Sequence, residues 1–256
     1  MAIDNPLTDS AVAATGVGTD TRPRGAERSG VDVFRTVPWV PVLWGLSLVA
    51  WAALIAFPED LAPLAYENGL IEWVGTLLFA AATTVFWVAA ARETRLANRI
   101  AAAFLGLVFF VSFMEEISWG QQIFKWNTPP AFASNRQNET NLHNFAIGFD
   151  QQQVFTLGIL GLTIGLPILY LWAPTRRSVR RLGLPVVSLG VAAWVFVTFA
   201  IANVSERMMG SETHRGLREF NETLWAVAAL LVGLATLQAA QRSSTATDPS
   251  TPESVD

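Results

Sequence analysis

The chain has no cysteine, which removes disulfides, thiolate metal sites and thiol nucleophiles from consideration. Charge is scarce too: Asp, Glu, Lys and Arg make up 15% of the 256 residues, against 52% hydrophobic side chains. An ordinary soluble domain carries about 25% charged residues. Histidine occurs twice, at His143 and His214. A phosphate-binding glycine loop, a nucleophile motif and zinc-finger spacing are all missing. The basic residues form no nucleic-acid face, so nucleic acid is not an expected partner. Near the start there is no short apolar stretch with a small-residue cleavage site, so the first helix is expected to act as its own insertion signal.

What the chain does have is long apolar runs. Crossing the hydrocarbon takes roughly 20 mostly apolar residues in a helix. Six runs approach that length, at 38–57, 70–91, 100–116, 154–172, 184–204 and 223–240. Residues 101–113 and 186–202 are apolar or small almost all the way round, whereas a soluble helix keeps a polar face. The expected fold class is therefore all-α, a polytopic integral membrane protein with about six transmembrane helices in a bundle. Residues 1–36 and 241–256 are polar, lack an apolar period and read as disordered tails flanking a transmembrane domain at 37–240.

An even number of crossings puts both tails on one side. The tails and the two short loops that accompany them hold twelve of the seventeen basic residues. Opposite them lie Lys125, Arg136, Arg207, Arg215 and Arg218. The positive-inside rule then makes both termini cytoplasmic, and the expected location is the plasma membrane. Three longer segments, 58–69, 120–153 and 205–222, face the other way. Trp39, Trp51, Trp73, Trp119, Trp126, Trp172 and Trp225 fall near helix ends, as headgroup-level aromatic belts do.

The chemically capable side chains gather on that outer side. Glu115 and Glu116 stand at the end of the third run; on a continued helix Glu115, Trp119 and Gln122 would share a face. The segment 135–144 is dense in donors and acceptors, and its Glu139 and His143 are four apart, one helical face if the segment is helical. The connection 205–222 carries Glu206, Arg207, His214, Arg215, Arg218, Glu219 and Glu222, whose alternating signs also fit a salt-bridged interfacial helix. Glu72 opens the second run. Ionisable groups at the ends of apolar helices are expensive and usually line a cavity, so a shared outward-opening pocket is the economical expectation.

Glu, His, Asn, Gln and Arg without Cys suit hard or borderline divalent ions. Two His and one Glu would leave an open position for water, as in catalytic zinc sites, and a second Glu could take that water's proton. On this reading His143, His214 and Glu139 are metal ligands for a divalent cofactor such as Zn. Glu115, Glu116 and Glu222 are the catalytic carboxylates, and Arg215, Arg218, Gln122 and Asn138 hold substrate. A pocket at the headgroup level meets membrane lipid first, so the expected activity is a metal-assisted hydrolase or transferase acting on a lipid-like substrate. The alternatives are a small-solute or ion transporter, for which polar groups near the midplane are thin, and a structural subunit of a membrane complex. An oligomer is compatible with either.

Overall fold

The computed structural model describes residues 40–65, 69–135, 138–142, 151–208 and 211–245. Among these, the regular elements are all helical. In chain order they are α1 (Val40–Ala56), α2 (Pro58–Ala65), α3 (Leu70–Arg92), α4 (Leu96–Glu116), the single turn α5 (Gln121–Phe124), α6 (Gln151–Leu160), α7 (Leu166–Leu171), α8 (Ala173–Arg181), α9 (Leu189–Met208) and α10 (Ser211–Thr245).

The breaks between helices have local causes. A π-helical turn, Gly161–Gly165, joins α6 to α7. Pro167 lies just beyond it; proline lacks an N–H and its ring crowds the carbonyl four residues back, and a widened turn absorbs both. At Trp172 the backbone becomes extended, with ψ of 115°, and α8 starts afresh with Pro174 in its first turn, where no N–H is needed. The turn between α3 and α4 is tied by the Asn98 amide, which donates to Glu93 Oε2 at 3.2 Å, and by the Arg99 guanidinium, which donates to the Glu93 carbonyl at 2.8 Å and 3.2 Å.

Four helical stretches are long and apolar enough to cross a membrane: α3, α4, Gln153–Leu171 and Leu217–Arg242. The apolar part of α9, Leu189–Ser205, and the 17-residue α1 are shorter. At 1.5 Å per residue, 17 residues reach about 26 Å against a hydrocarbon core of about 30 Å. The helix surfaces fit an apolar solvent. On α4, Ile100 (59%), Phe104 (62%) and Leu107 (52%) share one exposed stripe, while Ala102, Leu105 and Phe109 are buried on another. A contiguous exposed stripe of this kind would destabilise a helix in water and is the usual surface of one in lipid.

The core lies where α3 packs against α4 and α10. Phe109 of α4 stacks on Phe79 and Phe86 of α3, with ring centroids 6.2 Å and 5.4 Å apart. Phe155 of α6 meets Phe79 edge-on at 5.8 Å and lies 5.8 Å from Trp225 of α10. Ala82, Ala226, Ala229 and Val232 are fully buried, and Gly75 sits against Thr223. Small residues let the two backbones approach closely, which is how apolar helices gain contact area without a hydrophobic drive. The Thr223 hydroxyl donates to the Ile71 carbonyl at 3.0 Å and pins the start of α3 to α10. Across the bundle, buried Trp194 of α9 donates to Ser47 Oγ of α1 at 3.1 Å.

Three connecting segments and the start of one tail contain helix. The described part of the segment 205–222 is taken up by the end of α9 and the first turns of α10; residues 209–210 lie outside the described residues. Its alternating charges favour helix through pairs four apart, of which Arg218 and Glu222, 3.3 Å apart, are one. The tail expected from residue 241 likewise begins with helical backbone to Thr245. The segment 58–69 contains α2, and the short basic loop after the fourth run contains α8.

Candidate functional site

The polar site is built on the abrupt end of α4. After Glu116 the chain passes through Ile117 and then three successive left-handed residues, Ser118 (φ 48°), Trp119 (φ 54°) and Gly120 (φ 97°). Glycine adopts this conformation freely; for Ser118 and Trp119 it costs about 1–2 kcal/mol each. That strain persists because a dense set of hydrogen bonds overdetermines the turn. Trp119 Nε1 donates to Glu115 Oε1 at 2.5 Å, and Leu142 N donates to Glu115 Oε2 at 2.5 Å. Buried Glu115 therefore clamps its own turn to the returning loop.

Glu139 forms a second clamp. Its Oε2 accepts from Ser118 Oγ and from Asn141 Nδ2, both at 2.7 Å, and its Oε1 accepts from Gln122 Nε2 at 3.4 Å. Asn141, 1% exposed, is itself held by Asn135 Nδ2, which donates to its side-chain and backbone oxygens at 2.8 Å. Asn135 Oδ1 accepts from Glu139 N at 3.3 Å, and Gln121 Oε1 accepts from Thr140 N at 2.6 Å. The Gln121 amide donates to Thr128 Oγ1 at 2.9 Å, and that hydroxyl donates to the Asn138 carbonyl. Buried polar groups of this kind are stabilising when each is matched.

Two sequence expectations change here. Gln122 does not share a helical face with Glu115, because the left-handed run ends α4 first; its amide reaches Glu139 instead. Glu139 and His143 do not share a helical face either, since residues 138–142 are non-helical and Asn138 is itself left-handed at φ 57°. His143 lies outside the described residues. His214 and Arg215 lie on the helical backbone of α10, with their side chains outside the described part.

Other carboxylates lie at the same end of the bundle. Partly exposed Glu116 has Glu222, Glu72, Glu219 and Glu115 in its electrostatic surroundings. Three helices contribute to this group: Glu72 from the first turn of α3, Glu116 from the end of α4, and Glu219 with Glu222 from α10. The Thr223–Ile71 bond ties the part of α10 that carries Glu219 and Glu222 to the start of α3, where Glu72 stands. Arg218 Nε donates to Glu222 Oε1 at 3.3 Å, bringing one cation to the edge of the group. Adjacent residues of one sequence doublet thus have different surroundings: Glu115 faces neutral donors and Glu116 faces acids.

Of the catalytic candidates, Glu116 and Glu222 are brought together, while Glu115 is engaged by the loop. Among the substrate-binding candidates, Arg218 borders the carboxylates, Gln122 belongs to the Glu139 clamp, and Asn138 is exposed. Among the described residues no group of three or more His, Asp or Glu side chains is arranged to hold a metal ion. Sequence reading gave no role to Ser118, Gln121, Asn135 or Asn141; runs of Asn and Gln signal hydrogen bonding but not which partner. Glu219 was visible through its spacing of three from Glu222. The chain matches no protein-family profile, no curated protein and no solved structure.

Proposed function

We propose that the chain is a six-crossing integral membrane protein with both termini cytoplasmic, acting as a hydrolase or transferase on a lipid-like substrate at the outer face. What supports this reading is that Glu72, Glu116, Glu219 and Glu222 stand on three helices at one end of an otherwise apolar bundle, where the Thr223–Ile71 bond ties α10 to the start of α3. Carboxylates gathered in an apolar setting need protons, a cation or a substrate to offset them. Glu116 and Glu222 are the acid–base pair: one accepts the proton of an attacking water or alcohol, and the other protonates the leaving oxygen. Arg218 binds an anionic group of the substrate. Glu115 and Glu139 hold the strained turn that presents Glu116. The proposal includes a divalent ion held by His143, which follows α4 in the sequence, and by His214, in the first turn of α10.

A transport pathway draws less support. The buried hydroxyls of Thr76, Thr163, Thr198 and Thr236 donate to carbonyls of their own helices, at 2.6–2.9 Å, and the buried Thr83 hydroxyl of α3 is the exception among the described threonines of these spans. Elemental mass spectrometry of the detergent-purified protein, alongside His143→Ala with His214→Ala, tests the metal. A near-stoichiometric ion lost in the double variant supports metal assistance; no ion in either removes it. Hydrolysis of lipid esters and phosphoesters by the wild type but not by Glu116→Gln supports the carboxylate assignment. Equal turnover by both overturns it.

A further inference from the structure

The opposite end of the bundle holds a cavity of about 390 Å³ lined by Arg95, Ala173, Arg176, Arg177, Arg180 and Arg181. Positions 173, 176, 177, 180 and 181 form a single stripe of α8 at the spacing that usually marks an apolar face. Here arginine occupies four of those five positions, and Val179 turns away to pack with Tyr170 and Val186. Arg95 comes from the turn between α3 and α4.

Two features bring these cations together. Gly183, in the turn after α8, is left-handed at φ 66°, and a Cβ there would meet the Asn98 backbone at 2.6–2.7 Å. Only glycine allows that approach, which draws the end of α8 onto the turn bearing Arg95. Arg176 is fixed by donating to the Tyr170 carbonyl at 2.9 Å and the Leu171 carbonyl at 3.2 Å, with its guanidinium 5.7 Å from the Tyr170 ring. Arg95, Arg177, Arg180 and Arg181 form no salt bridge with any described residue. Mutually repelling guanidiniums around one cavity are stabilised when an anion enters it.

We propose that this cavity binds a phosphate group, and that its natural occupant is the headgroup phosphate of an anionic phospholipid. A lipid fits better than a soluble anion because the same level of the molecule exposes acyl-chain contacts. Trp172 (60%) and Leu182 (61%) flank α8, and Leu96 is exposed beside Arg95. Guanidinium forks match phosphate oxygens, and an amphipathic helix directly after an apolar span sits at headgroup depth. The inference concerns the end of the bundle away from Glu116, so it stands or falls separately from the proposed activity.

Native mass spectrometry of the detergent-solubilised full chain, titrated with phosphatidylglycerol or phosphatidylcholine, tests it; calorimetry with inorganic phosphate forms a second arm. Phosphatidylglycerol should bind in preference to phosphatidylcholine. Arg177→Gln with Arg180→Gln should weaken that binding by roughly thirtyfold, the effect of two arginines at an anionic surface. Arg92→Gln with Arg242→Gln, exposed positions outside the cavity, makes the same change in net charge and should cost less than about fivefold. Equal losses in the two pairs, or no lipid preference, would overturn the proposal. Binding of inorganic phosphate without phosphatidylglycerol would overturn the lipid assignment and leave a soluble anion as the occupant.

Discussion

Neighbouring carboxylates with opposite surroundings allow a sharp test. In Glu115→Gln one carboxylate oxygen becomes an NH2 group. Both oxygens of Glu115 accept from fixed donors, Trp119 Nε1 and Leu142 N, so either orientation of the amide sets donor against donor. Losing a charge-assisted bond costs roughly 1.5–3 kcal/mol, and the unmatched donor adds about 1–2 kcal/mol. The sum is about 2.5–5 kcal/mol. A chain of this size loses roughly 2–4 °C of Tm per kcal/mol, so a fall of about 5–20 °C is expected. Glu116→Gln differs because its surroundings are the carboxylates of Glu222, Glu72, Glu219 and Glu115. Neutral glutamine relieves repulsion there, and Tm should stay level or rise slightly. Intrinsic tryptophan fluorescence during a thermal ramp in detergent reads both variants. An unchanged Tm for Glu115→Gln, or an equal fall for Glu116→Gln, would refute the division between clamp and reactive group.

Gly120→Ala should destabilise by about 1–3 kcal/mol, since φ is 97° and the new methyl would lie 3.0 Å from the Trp126 ring and 3.3 Å from the Phe124 ring. Thermal unfolding measures the loss, and near-ultraviolet circular dichroism should register the displaced Trp126–Phe124 stack. Trp194→Phe removes the donor to Ser47 and should cost about 1 kcal/mol. Adding Ser47→Ala to that variant should cost little more, a double-mutant cycle that isolates the bond between α1 and α9.

Much of the architecture was legible in the order of the residues. Long apolar runs with few charges can only be helices when no other partner satisfies the backbone, and the runs at 70–91 and 100–116 recur as α3 and α4 with small shifts at their ends. The gathering of Glu72, Glu116 and Glu222 could also be anticipated, because antiparallel helix order brings alternate ends together. Connections were harder to read. Residues 205–222 carry charges at spacings that serve a loop or a helix equally, and continuity with α9 and α10 made 205–208 and 211–222 helical. Helical geometry already points Glu115 and Glu116 roughly 100° apart; what the sequence did not show is that the chain leaves α4 through three left-handed residues and that Leu142 returns to meet Glu115.

Sequence by itself therefore determined the helical class, the apolar surfaces and the concentration of acids at one end, since each follows from local composition and period. Tertiary structure alone decided which acid is buried among neutral donors and which faces its own kind. It also decided that Arg95 joins the arginines of α8 around one cavity, through the close approach of Gly183 to Asn98. Those outcomes depend on contacts between residues far apart in the chain, and the spacing of charges along one helix carries no information about what the neighbouring helix sets opposite them.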